Sequence, residues 1–69
     1  MPNFTERIGE AAGDMWRTLE QNGSPLSVTQ LKNRTELPEN LLFSGLGWLA
    51  REGKISISGT GKKLEVALK

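Results

Sequence analysis

The sequence predicts an α+β fold in which three helices precede a two-stranded β-hairpin, and three features support this. A helix is expected to begin at Pro38, end at Gly53 and lead directly into a strand, because Pro suits the first helical position and Gly the left-handed end. Two amphipathic segments come before it. After Gly53 the apolar residues alternate with polar ones, as in strands. This order is typical of a winged helix-turn-helix.

The first helix is predicted over residues 5–21, where an apolar stripe recurs at helical spacing: Ile8, Ala11, Ala12, Met15, Trp16 and Leu19. Asn3 or Thr5 is expected to cap its start. Gly9 and Gly13 lie in its interior, where Gly costs roughly 1 kcal/mol relative to Ala. We expect these two glycines to allow close approach of another helix, within the fold or across a dimer.

The second helix is predicted over residues 28–34 and the third over 38–52. Ser27 and Gln30 have the spacing of a capping box. Lys32 and Arg34 come at the exposed end of the second helix, and the turn at 35–36 leads into the third. Two helices joined by such a short turn form the helix-turn-helix pattern.

The hairpin strands are predicted over residues 54–58 and 63–68, joined by a tight loop at 59–61. Lys62 and Lys63 lie beside that loop. They could contact a DNA backbone, or they could simply protect the hairpin edge from aggregation. The second helix, the third helix and the hairpin are expected to contribute these residues to the core: Leu31, Leu42, Leu46, Leu49, Ile55, Ile57, Leu64 and Val66.

Composition restricts the function. The chain has 69 residues without Cys or His, which removes thiolate and imidazole metal ligands and the usual general base. Because the chain is short, we expect one domain over residues 1–69. Because these reactive groups are absent, we expect no enzymatic activity, no cofactor and no small-molecule ligand. There is no apolar run of the roughly 20 residues that span a bilayer. A cytoplasmic protein is expected.

Charge is distributed unevenly and favours nucleic acid as the partner of the C-terminal half. Residues 1–30 contain two basic and four acidic residues, a balance of −2, whereas residues 31–69 contain seven basic and four acidic residues, a balance of +3. DNA binding by a small transcriptional regulator is the leading hypothesis. Its phosphate-contacting candidates are Lys32, Arg34, Arg51, Lys54, Lys62 and Lys63, and its base-contacting candidates are Asn40 and Ser44.

The third helix also supports a competing hypothesis, a protein-interaction module that forms a homodimer. Its expected outward face has few of the Arg, Lys, Asn and Gln side chains that read bases. It carries large apolar residues instead, Leu41, Phe43 and Trp48, and exposed apolar clusters mark protein interfaces. These three residues, with Gly9 and Gly13, are the interface candidates.

The run Gly47-Trp48-Leu49-Ala50-Arg51-Glu52-Gly53-Lys54-Ile55 resembles the hallmark of a family of small prokaryotic winged helix-turn-helix proteins of unassigned function. The segment from Ile8 to Trp16 is similar to the first helix of that family. The resemblance covers nearly the whole chain and implies a winged-helix fold and, for some relatives, a homodimer. The groove-contacting positions of winged-helix regulators would map near Asn40, Leu41, Ser44 and Gly47, which are not basic.

Overall fold

A computed structural model of the chain describes residues 3–60 and 63–69. Its elements follow the order α1 (Phe4–Asn22), β1 (Leu26–Ser27), α2 (Val28–Thr35), α3 (Glu39–Arg51), β2 (Ile55–Ser58) and β3 (Glu65–Leu68). The expected winged helix-turn-helix, an α+β fold, is confirmed. The predicted helix ends are correct to within one residue, and β3 begins two residues later than predicted.

The first two helices are capped by the residues that the sequence indicated. The side chain of Asn3 accepts a hydrogen bond from the backbone N–H of Glu6 at 2.9 Å, and Gly23 ends α1 in the left-handed conformation. Ser27 and Gln30 form a complete reciprocal capping box at the start of α2. These bonds satisfy N–H groups that a helix start otherwise leaves unpaired.

The end of α3 fixes the direction in which the chain enters the sheet. Gly53 has φ 71°, its N–H donates to the carbonyl of Ala50 at 3.1 Å, and the N–H of Lys54 donates to the carbonyl of Leu49 at 3.0 Å. This pair of bonds is a Schellman motif, which needs a left-handed residue between helix and strand. At the other end Pro38 is the cap rather than the first helical residue.

The three strands form one antiparallel sheet in the order β1-β3-β2. Val66 of the central strand pairs with Leu26 on one side and with Ile57 on the other. The chain entering α2 is therefore hydrogen-bonded to the wing through β1, which ties the helix-turn-helix to the hairpin.

The core contains Met15 and Leu19 of α1, Leu31 of α2, the leucines 42, 46 and 49 of α3, and Ile55 and Val66 of the sheet. Two core predictions need correction. Ile57 is 41% exposed, because β2 is an edge strand and Ile57 lies farther along the wing than Ile55. Leu64 is only half-buried, since it precedes the paired part of β3.

Candidate nucleic-acid interface

The side of α3 that faces away from α1 is a narrow strip of small and polar residues around one aromatic ring. Asn40, Phe43, Gly47 and Arg51 are exposed, and Ser44 is half-buried. At about 100° per residue these positions fall on one side of the helix. Phe43, which is 52% exposed, is the largest apolar group of this strip, which we call the α3 outer face.

The polar groups at the start of α3 are partly occupied by contacts within the protein. The side-chain oxygen of Asn40 accepts the backbone N–H of Leu41 at 2.8 Å, which uses one of the two lone pairs of that oxygen. The ammonium of Lys32 lies 3.1 Å from the Glu39 carboxylate. This ion pair connects α2 with the first turn of α3 and offsets the negative charge that Glu39 brings there.

The remaining basic candidates do not all border the α3 outer face, since Arg34 is bonded to the last residue of α1 and Lys54 lines a groove beside α1. The Arg34 guanidinium donates to the side-chain oxygen of Asn22 at 3.0 Å, which fixes it at the end of α2. Arg51 and Lys54 are exposed at the end of α3, and Lys63 is exposed on the wing. The prediction for Lys62 lies outside the described residues.

The expected apolar cluster of Leu41, Phe43 and Trp48 does not form one surface. Leu41 is only 4% exposed, so the expectation that it would be an exposed interface residue is wrong. The physical reason is that Leu41, Gly45 and Leu49 form an i, i+4 row that packs towards α1, which widens the buried side of α3. Phe43 and Trp48 are five residues apart and therefore about 140° apart around the helix.

Trp48 lies in a groove between α1 and the end of α3, which we call the α1–α3 groove. It has a volume of about 510 Å³. Its lining comprises Gly9, Ala12, Gly13, Trp16, Arg17, Glu20, Trp48, Leu49 and Lys54. Trp48 is 53% exposed there, and a Cβ added at Gly9 would meet no atom within 4 Å. The structure thus brings three of the five interface candidates together, away from Phe43.

Two features of this region were not identified from the sequence. One is the Lys32–Glu39 pair, whose partners are too far apart in sequence to meet on one helix. The other is the burial of Gly45 against α1, which the leucine stripe alone does not indicate. Across residues 3–60 and 63–69 there is no group of acidic side chains that could hold a metal ion. In the same residues no helix is long and apolar enough to cross a membrane.

The three helices and the antiparallel sheet define a winged helix-turn-helix domain. The chain belongs to the family described as "Winged helix-turn-helix domain (DUF2582)", whose family model matches residues 3–68. It is 33% identical to an uncharacterized protein of Methanocaldococcus jannaschii, MJ1608, over 70 residues that cover all of both chains.

Two solved structures share the fold. One comes from work on HOP2 that concerns its DNA recognition and protein interaction domains and its homologous DNA pairing properties. It is 25% identical, with a TM-score of 0.77, and the match covers 86% of this chain and 98% of that one. The other, protein BT2368 from Bacteroides thetaiotaomicron, is 27% identical, with a TM-score of 0.77, covering 91% of this chain and 76% of that one.

Proposed function

We propose that this protein is a cytoplasmic, non-enzymatic DNA-binding domain that acts as a small transcriptional regulator and binds duplex DNA with α3 and the wing. The observation that carries the proposal is the geometry of α3. In the part of the chain that the structure describes, Asn40, Phe43, Gly47 and Arg51 of its outer face are exposed, and basic residues lie near both ends of the helix and on the wing. The match to a HOP2 structure concerned with DNA recognition supports the same class of ligand.

Phosphate contacts are assigned to Lys32 beside the start of α3, to Arg34 at the end of α2, to Arg51 and Lys54 at the end of α3, to Lys63 on the wing, and to its sequence neighbour Lys62. Asn40 and Ser44 are the candidates for base edges. A helix of 13 residues is about 20 Å long, and the major groove is wide enough to admit one. Binding that depends on a few lysines and arginines must weaken with salt, because each neutralised phosphate releases counterions.

Titration of labelled duplex DNA at several salt concentrations tests the proposal, with two variants that remove one positive charge each. Lys63→Ala is expected to weaken binding to all sequences and to reduce the salt slope by about 1. Arg7→Ala is the matched control, since Arg7 lies on α1, outside the helix-turn-helix and the wing. Equal effects of the two variants, or binding that ignores salt, would overturn the assignment.

A second candidate function is a protein-interaction module that forms a homodimer through the α1–α3 groove. The specific observation in its favour is that Trp48 is half-exposed in the same groove as Gly9, where a Cβ would meet no atom of the described residues within 4 Å. Light scattering across a hundredfold range of concentration distinguishes the two. A mass that remains that of a monomer excludes the homodimer, whereas a dimer that Trp48→Ala dissociates supports it.

A further inference from the structure

The α3 outer face has an unusual composition for a surface that enters a DNA groove. Its centre carries no Arg or Lys, and its largest group is the ring of Phe43, 52% exposed. The side-chain oxygen of Asn40 already accepts a backbone N–H at 2.8 Å. Asn40 and Ser44 are therefore the few groups of the face that can hydrogen-bond to base edges, and the largest group of the face is apolar.

The surroundings of Phe43 favour a groove over a protein partner. Its neighbours on the outer face are Asn40, Ser44 and Gly47, none of which has a large apolar side chain. Trp48 lies about 140° around the helix, and Leu41 is buried. One ring covers far less than the roughly 800 Å² that each partner buries in a stable protein interface.

The small residues beside Phe43 also allow the helix to approach DNA closely. A Cβ added at Gly47 would meet no atom within 4 Å, so Gly47 itself places no side chain between the backbone and the DNA. Among Asn40, Phe43, Ser44 and Gly47, Phe43 has the largest side chain, and it is 52% exposed. In the major groove, such a ring meets base edges first.

We propose that Phe43 reads thymine through the C5-methyl group in the major groove, so that the protein prefers T-containing steps opposite the centre of α3. The proposal rests on the DNA-binding function proposed above. The thymine methyl is the apolar feature of the major-groove edge, and phenylalanine is among the side chains that contact it. Over a purine edge the ring would cover donors or acceptors without replacing their hydrogen bonds to water, which costs free energy, and a cytosine edge offers no methyl group.

The test compares two duplexes that differ in that methyl group alone. One is a T-rich duplex, and the other has deoxyuridine in place of every thymidine. Wild type is expected to bind the thymidine duplex about fourfold more tightly for each contacted methyl, as burial of a group of that size predicts. Phe43→Ala should bind both duplexes equally. Trp48→Ala is the matched control, a similarly exposed aromatic of the same helix outside the outer face, and should keep the preference.

The outcomes separate this inference from the function on which it rests. If wild type binds both duplexes with the same affinity and the usual salt dependence, DNA binding stands and the reading of thymine by Phe43 is overturned. It is also overturned if Phe43→Ala retains the preference. If neither duplex binds at low salt, both proposals fail, and a change of mass in Phe43→Ala would then identify the ring as a protein contact. Circular dichroism checks that each variant is folded.

Discussion

Gly45 of α3 lies directly against Ala12 of α1: a Cβ added at Gly45 would be 3.2 Å from the Ala12 amide nitrogen and would also collide with the terminal methyl of Met15. Both Gly45 and Met15 are buried, and Met15 has no exposed surface. The absence of a side chain at Gly45 therefore sets how closely the two longest helices approach, and so where the α3 outer face stands relative to the rest of the fold.

Gly45→Ala is expected to destabilise the protein by about 1 kcal/mol. Overpacking a core costs roughly 1–3 kcal/mol, which exceeds the gain of about 1 kcal/mol that Ala brings to a helix interior. Gly47→Ala is the matched control on the same helix, since a Cβ there meets nothing within 4 Å, and it should stabilise by up to about 1 kcal/mol. Urea denaturation measures both. A Gly45→Ala variant as stable as Gly47→Ala would show that the contact is not tight.

Glu36→Gly is expected to stabilise the protein by about 0.5–1 kcal/mol. Glu36 ends α2 with φ 56°, and a side chain in that left-handed region costs roughly 1–2 kcal/mol, more than the entropy that Gly adds to the unfolded chain. Glu52 provides the comparison, because it ends α3 in an ordinary right-handed conformation, φ −76°. Glu52→Gly should therefore lower the melting temperature while Glu36→Gly raises it. A loss of stability in both would contradict the argument.

The sequence was sufficient for the helices, the capping box at Ser27 and the order of helix-turn-helix and wing, because these depend on local spacing and cap chemistry. The sequence was not sufficient to predict that Leu41 is buried. Helical phase places Leu41 about 100° from Leu42, and its burial follows from the side of α3 that packs on α1 at Gly45. The prediction that Ile57 is buried was wrong for a similar reason. Strand alternation gives the face on which a side chain lies but not whether neighbouring structure covers it.

The candidate site was predictable only as a list of residues. Basic side chains were found by type, but the pairing of Lys32 with Glu39 at 3.1 Å depends on the angle between two helices. The separation of Phe43 from the groove that holds Trp48 likewise depends on where α1 lies. Those relationships depend on the tertiary structure, and they decide which residues can contact the same ligand.

Glu39→Gln is expected to strengthen DNA binding several-fold and to steepen the salt slope by about 1. It removes a negative charge from the start of α3 and frees the Lys32 ammonium, whose proposed phosphate contact otherwise competes with the Glu39 carboxylate. The ion pair is exposed, so its loss should cost less than about 1 kcal/mol of stability. Glu10→Gln makes the same change of charge on α1 and should leave binding unaltered. If the two variants bind alike, Glu39 does not face the DNA.

The most direct test of the central claim, that α3 and the wing form the DNA-binding surface, is amide chemical-shift mapping of isotope-labelled protein titrated with duplex DNA at low salt. The claim predicts that the amides of Asn40, Phe43, Ser44, Gly47 and Lys63 shift together and saturably. It also predicts that Gly9 and Gly13 in the α1–α3 groove do not respond, and that salt reverses the shifts. Shifts confined to α1, or none at all with DNA in tenfold excess, would contradict it.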